Sequence, residues 1–200
     1  MVRLRMRRVM GPALVSVTLL AACAGQRVSY QDPNKVETVT EDFGSTDLQS
    51  IAERMVNSLV RHPVIANGNR PVVQVSTVKN KTTEHIDTKS ISDKIRTALI
   101  KTGMVRFSAA SDANREILEN LEYQSESGVV SKKTAKGVGK QIGADYLLYG
   151  EIDSIVKRAS GTTDVYYKIT LNLVDVETGI IEWSDEKEIR KQANRALFGS

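Results

Sequence analysis

The sequence predicts an α+β domain, a mostly antiparallel sheet of about five strands with about four covering helices, closed by a C-terminal three-stranded meander. Three observations carry this. Leu48, Ile51, Ala52, Met55, Val56, Leu59 and Val60 recur at helical spacing. Val165, Tyr167, Ile169, Leu171 and Leu173 alternate with Lys168, Thr170 and Asn172, the two-residue period of a half-buried strand. Turn residues at Ala159 to Thr162 and at Glu177-Thr178-Gly179 separate that strand from its neighbours, so the last three strands fold back on one another.

The elements follow in order. Thr46 and Gln49 have capping-box spacing, so the first helix is expected to start near Thr46, with Arg61 and His62 at its end and Pro63 stopping it. Pro71 opens a strand through Val72, Val73, Val75 and Val78. A polar loop is expected from Lys79 to Thr88. A helix from about Ser90 to Lys101 then buries Ile91, Ile95, Ala98 and Leu99 and ends at Gly103. Met104 to Phe107 reads as a short strand. Ser111 is the expected N-cap of a third helix with Ile117, Leu118 and Leu121 inward, followed by a loop from Tyr123 to Val130. A fourth helix is expected from Ser131, with Ala135, Val138 and Ile142 as its apolar face and Gly143 as its left-handed end. Strands Tyr146 to Ile155 and Ile180 to Ile189 flank the alternating one.

The first 22 residues have the three parts of a secretory signal: Arg3, Arg5, Arg7 and Arg8, then an apolar run from Val9 to Leu20, then Ala21 and Ala22. The domain plan is therefore a signal over 1–22, a flexible tether over 23–45, a globular domain over 46–190 and a loose tail over 191–200. Fully extended, Ala24 to Asp47 reaches at most about 80 Å. The formal charge of +4 sits in the signal, and the rest balances 24 Lys and Arg against 24 Asp and Glu. A basic pI therefore gives no reason to expect a nucleic-acid partner.

No catalytic set is visible, and the expectation is a protein that is not an enzyme and takes no cofactor. His62 and His85 are the only histidines and Cys23 the only cysteine, too few for a zinc site of ordinary spacing. Gly137-Val138-Gly139 imitates a phosphate loop but would lie in a helix that precedes a strand, so close helix–sheet packing is the better reading. Lys132, Lys136 and Lys140 would form one stripe on that helix, either a solvated face or a contact for an acidic partner. Tyr149 and Trp183 read as core or rim residues, or as anchors in an interface. The best site candidate is the loop after the first strand, with Asn80, Lys81 and Thr82. Its ten mostly polar residues exceed what a strand-to-helix connection needs, although Asn, Thr and Asp there also serve turns and caps.

Leu20-Ala21-Ala22-Cys23 resembles a bacterial lipobox, which implies N-acyl and S-diacylglycerol modification of Cys23 after cleavage. A plain secretory signal with an incidental cysteine and a mitochondrial presequence are the alternatives. Val75-Ser76-Thr77-Val78-Lys79-Asn80-Lys81-Thr82, Ile142-Gly143-Ala144-Asp145-Tyr146-Leu147-Leu148-Tyr149 and Thr178-Gly179-Ile180-Ile181-Glu182-Trp183-Ser184 follow in order behind it. Together they resemble the outer-membrane lipoprotein activators of bifunctional (class A) penicillin-binding proteins, the LpoB type. The resemblance implies an outer-membrane lipoprotein facing the periplasm, anchored to the membrane through Cys23 and monomeric. It would bind a peptidoglycan synthase and raise its glycan polymerisation. It also implies a long proline-rich tether, where this chain has Pro33 as the sole proline between Ala24 and Ser45. A second resemblance is to the curli secretion component, an outer-membrane assembly lipoprotein, and a glycan-binding envelope protein is a third reading.

Overall fold

The computed structural model describes residues 29–194 apart from Thr38, Ala110 and Lys140. Cys23 and the signal, like residues 195–200, lie outside the described residues.

Helix α1 (Ser45–Arg61) buries Ile51, Ala52, Met55, Val56 and Leu59, the helical-period face expected from the sequence. Its start differs from the expected one. Gly44 is the N-cap, and its N–H donates to Asp47 Oδ2 at 2.9 Å. Thr46 Oγ1 instead accepts from the N–H of Glu37, and Gln49 Nε2 donates to the carbonyl of Pro33. Asp47, three residues after Gly44, takes the N-cap N–H ahead of Thr46, so the helix begins at Ser45. At the far end His62 takes extended backbone and starts a second, four-residue helix, α2 (Pro63–Ala66), with Pro63 at its first turn.

Strand β1 (Val72–Val75) is followed after a short break by β2 (Lys79–Asn80), so the expected polar loop begins as a strand. In the break, Val78 donates its N–H to Ser92 Oγ at 3.0 Å, and Ser92 donates on to the carbonyl of Thr88 at 3.1 Å. This satisfies a serine that is 4% exposed on the apolar face of helix α3 (Thr88–Thr102). Asp87 caps α3 by accepting from the N–H groups of Lys89 and Ser90, and Gly103 closes it at φ 69°. Strand β3 (Arg106–Phe107) and helix α4 (Ser111–Glu126) follow.

The long strands are β4 (Tyr146–Ala159), β5 (Thr162–Asp175) and β6 (Ile181–Asn194). The sheet order is β3-β1-β4-β5-β6, with β2 pairing β4 beyond the end of β1. The β4–β5–β6 meander is antiparallel, while β1 runs parallel to both β3 and β4 and β2 runs parallel to β4. Ser160 and Gly161, at φ 48° and 80°, make the tight β4–β5 turn. Tyr167, Ile169, Leu171 and Leu173 on β5 are buried in alternation, as the sequence predicts. Together with Val73, Leu148, Ile152 and Trp183 and the apolar faces of α1 and α3, the last three of these form one core.

Several expectations fail here. The described residues of 131–142 form no helix, only a turn around Lys132–Thr134, and Val138 and Ile142 are 57% and 65% exposed. Gly137 and Gly139 each disfavour a helix interior by about 1 kcal/mol, more than a three-residue apolar stripe returns. Gly139 takes φ 85°, Gly143 is not left-handed, and a Cβ at any of the three would meet nothing within 4 Å, so they mark no close packing. With the helix gone, Lys132 and Lys136 form no stripe, and Lys140 lies outside the described residues. On α4, which runs through the expected Tyr123 loop as far as Glu126, Ile117 and Leu118 are 38% and 41% exposed rather than inward. Finally, β6 does not end at Ile189. It runs to Asn194, because its register with β5 continues to the Thr162↔Asn194 pair.

Candidate functional site

Asn80, Lys81 and Thr82 do come together, on a turn held by its own side chains. Asn80 Oδ1 accepts from the Thr82 N–H at 2.9 Å and from Thr82 Oγ1 at 2.8 Å. Asn80 Nδ2 donates to the carbonyl of Glu84 at 2.9 Å, and the Glu84 N–H donates to Thr82 Oγ1 at 3.2 Å. The side chains of Asn80 and Thr82 are therefore committed to the turn. The Lys81 N–H donates to the carbonyl of Ile152 at 2.8 Å, tying the turn to β4.

That leaves the Lys81 ammonium as the group the turn presents. It lies 2.9 Å from Glu151 Oε2 with its side chain 54% exposed. Hydrogen bonding to Glu151 raises the Lys81 pKa, and the same bond holds the Glu151 carboxyl below its ordinary value. The pair is solvent-screened and adds little stability; it fixes where the cation stands. Glu151 pairs across the sheet with Thr170, and Thr170 with Glu186, so Lys81 stands beside a polar row on β4, β5 and β6.

The far end of the turn is anchored by Glu84, a residue that sequence reasoning left among the loop's polar residues. Glu84 Oε2 accepts from the N–H of Phe43 at 3.0 Å, and Oε1 accepts from the Tyr167 hydroxyl. Burial, and then the bond to Glu84, push the Tyr167 phenol upward. Phe43 sits edge-on to the Tyr167 ring, with centroids 5.8 Å apart. The one available signal was that a tyrosine in the buried register of β5 must find a partner for its hydroxyl. Around these groups the segment from Glu37 to Gly44 lies bonded to the domain. Glu37 accepts from both the N–H and the hydroxyl of Ser45, Tyr167 reaches the Glu41 carbonyl, and Lys191 reaches that of Asp42. Folded contacts thus extend N-terminal of Thr46. A groove of about 560 Å³ opens between this segment and the loop, lined by Phe43, Leu48, Glu84, His85, Ile86 and Ile91 among others.

Trp183 is 6% exposed and donates Nε1–H to Ser58 Oγ at 3.2 Å, a core residue rather than an anchor for a partner. His62 caps α2 and His85 is exposed beside the groove. Among the described residues no group of three His, Cys, Asp or Glu could hold a metal ion, and no helix is long and apolar enough to cross a membrane.

Two relatives are similar over most of the chain. One, from Dickeya dadantii (strain 3937), is 24% identical over 147 residues, covering 73% of this chain and 69% of that protein. The other, from Photorhabdus laumondii subsp. laumondii, is 25% identical over 201 residues, covering 92% of this chain and all of that protein. Each carries the name penicillin-binding protein activator LpoB. The profile of the family described as peptidoglycan-synthase activator LpoB matches residues 47–189, from the first turn of α1 to near the end of β6, and the chain belongs to that family.

Proposed function

We propose that this chain is a lipid-anchored activator of a class A penicillin-binding protein, held at the outer membrane through acylated Cys23 and facing the periplasm. It makes and breaks no bonds itself. It stimulates the synthase by binding its active conformation more tightly than its inactive one, and a tenfold rise in the active-to-inactive ratio needs about 1.4 kcal/mol of such preference. The family match over residues 47–189 is the observation that carries this reading. The Asn80-Lys81-Thr82 turn supplies the docking point, since it presents a cation at a fixed position from a rigid strand end. The secretion reading draws no support from the family match.

The test is recovery of envelope proteins on the chain lacking residues 1–23, followed by a glycan-polymerisation assay with the synthase recovered. Capture of a class A synthase and faster polymerisation support the proposal. A self-assembled ring with no synthase bound overturns it. Lys81→Glu reverses the charge while leaving the turn's own bonds in place, and is expected to weaken binding at least tenfold. Unchanged binding removes the turn from the interface.

A further inference from the structure

The docking turn is bonded to the segment that leads back toward Cys23. Two bonds close the turn on Glu84: Asn80 Nδ2 to the Glu84 carbonyl, and the Glu84 N–H to Thr82 Oγ1. The Glu84 carboxylate is half-buried, and the structure gives it two donors, neither from the turn. One is the N–H of Phe43 and the other the hydroxyl of Tyr167 on β5. A half-buried carboxylate that loses one of two charge-assisted bonds is left underbonded, and it regains hydration by moving outward. Moving Glu84 displaces both of its backbone groups, and with them the turn.

We propose that Glu84 is a positioning residue through which the strap Glu41–Phe43 orders the Asn80–Thr82 turn, so that a docked strap makes the turn competent to bind. The proposal rests on the docking reading above for its function, but its mechanism is read without any partner. A pull on the N-terminal end reaches Glu84 through the Phe43 N–H and passes to the turn through the Glu84 backbone bonds with Asn80 and Thr82, while the Tyr167 hydroxyl holds Glu84 against β5. Release of the strap loosens the turn without unfolding the sheet.

Amide hydrogen exchange on the chain lacking residues 1–23 tests this. The reporters are the N–H groups of Thr82 and Glu84, compared with amides of the β4–β5 ladder. Tyr167→Phe keeps the ring against Phe43 and removes only the hydroxyl. Phe43→Ala removes the strap's side chain. Each is expected to speed Thr82 and Glu84 exchange at least tenfold more than it speeds the ladder, and the double variant is expected to add less than the two singles combined. Turn amides that track the ladder in both variants overturn the proposal, and Tyr167→Phe keeps it decidable should Phe43→Ala fail to fold. Failure of Lys81→Glu to weaken synthase binding strikes the docking reading alone, and unchanged exchange strikes the positioning role alone.

Discussion

Lys191 Nζ lies 3.0 Å from Asp47 Oδ2, joining the last strand to the first turn of α1 with side chains 18% and 8% exposed. A pair this far from water is worth most when one member is removed, because the other stays buried without its counter-charge. Lys191→Met is expected to cost about 2 kcal/mol, and a chain stopped at Arg190 to lose at least as much. In thermal denaturation this is a fall of roughly 4–8 °C. Asp47→Asn added to Lys191→Met recovers part of the loss, since an amide oxygen still accepts from the Gly44 N–H.

Gly150 on β4 pairs with Leu171 on β5. A Cβ there would lie 2.0 Å from the Thr170 carbonyl oxygen, which belongs to backbone and has nowhere to go. Gly150→Ala is expected to destabilise by about 1–3 kcal/mol, read as a lower denaturant midpoint. Gly137→Ala, where a Cβ meets nothing within 4 Å, is the matched control and should change the midpoint little.

Asp175 organises the β5–β6 turn by accepting from the Thr178 N–H at 2.7 Å, the Thr178 hydroxyl at 2.9 Å and the Glu177 N–H at 3.0 Å. The Thr178 backbone bond, then its hydroxyl bond, hold the Asp175 carboxyl below the usual aspartate value. A depressed folded-state pKa gives stabilisation that is complete above the unfolded value, near 3.9, and is lost as pH falls through the folded one. The Thr178 amide shift should therefore titrate with a midpoint below about 3.9, and Asp175→Asn should abolish that titration. A midpoint at or above the ordinary value would contradict the bonding described.

Val138 and Ile142 stand in irregular chain at 57% and 65% exposure. Val138→Gly and Ile142→Ser are each expected to change stability by less than about 0.5 kcal/mol. On the buried face of a helix the same changes would cost about 1–3 kcal/mol or more.

Legibility in the sequence followed the strength of the local signal. The β5 alternation from Val165 to Leu173 has one solution, because a slip of one residue would expose every apolar side chain. Gly103 ends α3 where expected, since its left-handed backbone leaves few substitutes. The apolar triplet Ala135, Val138 and Ile142 misled because Gly137 and Gly139 were read as packing residues within a helix rather than for their cost to it. Ile117 and Leu118 misled differently: α4 forms, and what its spacing omits is how closely other elements approach it. In the candidate site, the clustering of Asn80 and Thr82 was readable as turn chemistry. Glu84 was not, because its partners Phe43 and Tyr167 lie 41 and 83 residues away along the chain.

The bonding of Glu37 to Ser45 and Thr46 also alters the geometry of mooring. Measured from the first helix, the leash behind Cys23 would reach about 80 Å at full stretch. Measured from Pro33, whose carbonyl already accepts from Gln49 Nε2, it reaches at most about 35 Å. Every residue folded onto the domain is withdrawn from the length that spans to the anchor. On the proposed anchoring, a synthase met at the outer limit would pull first on Pro33, then on Glu37 and the strap, so the working radius would depend on how firmly a few hydrogen bonds hold.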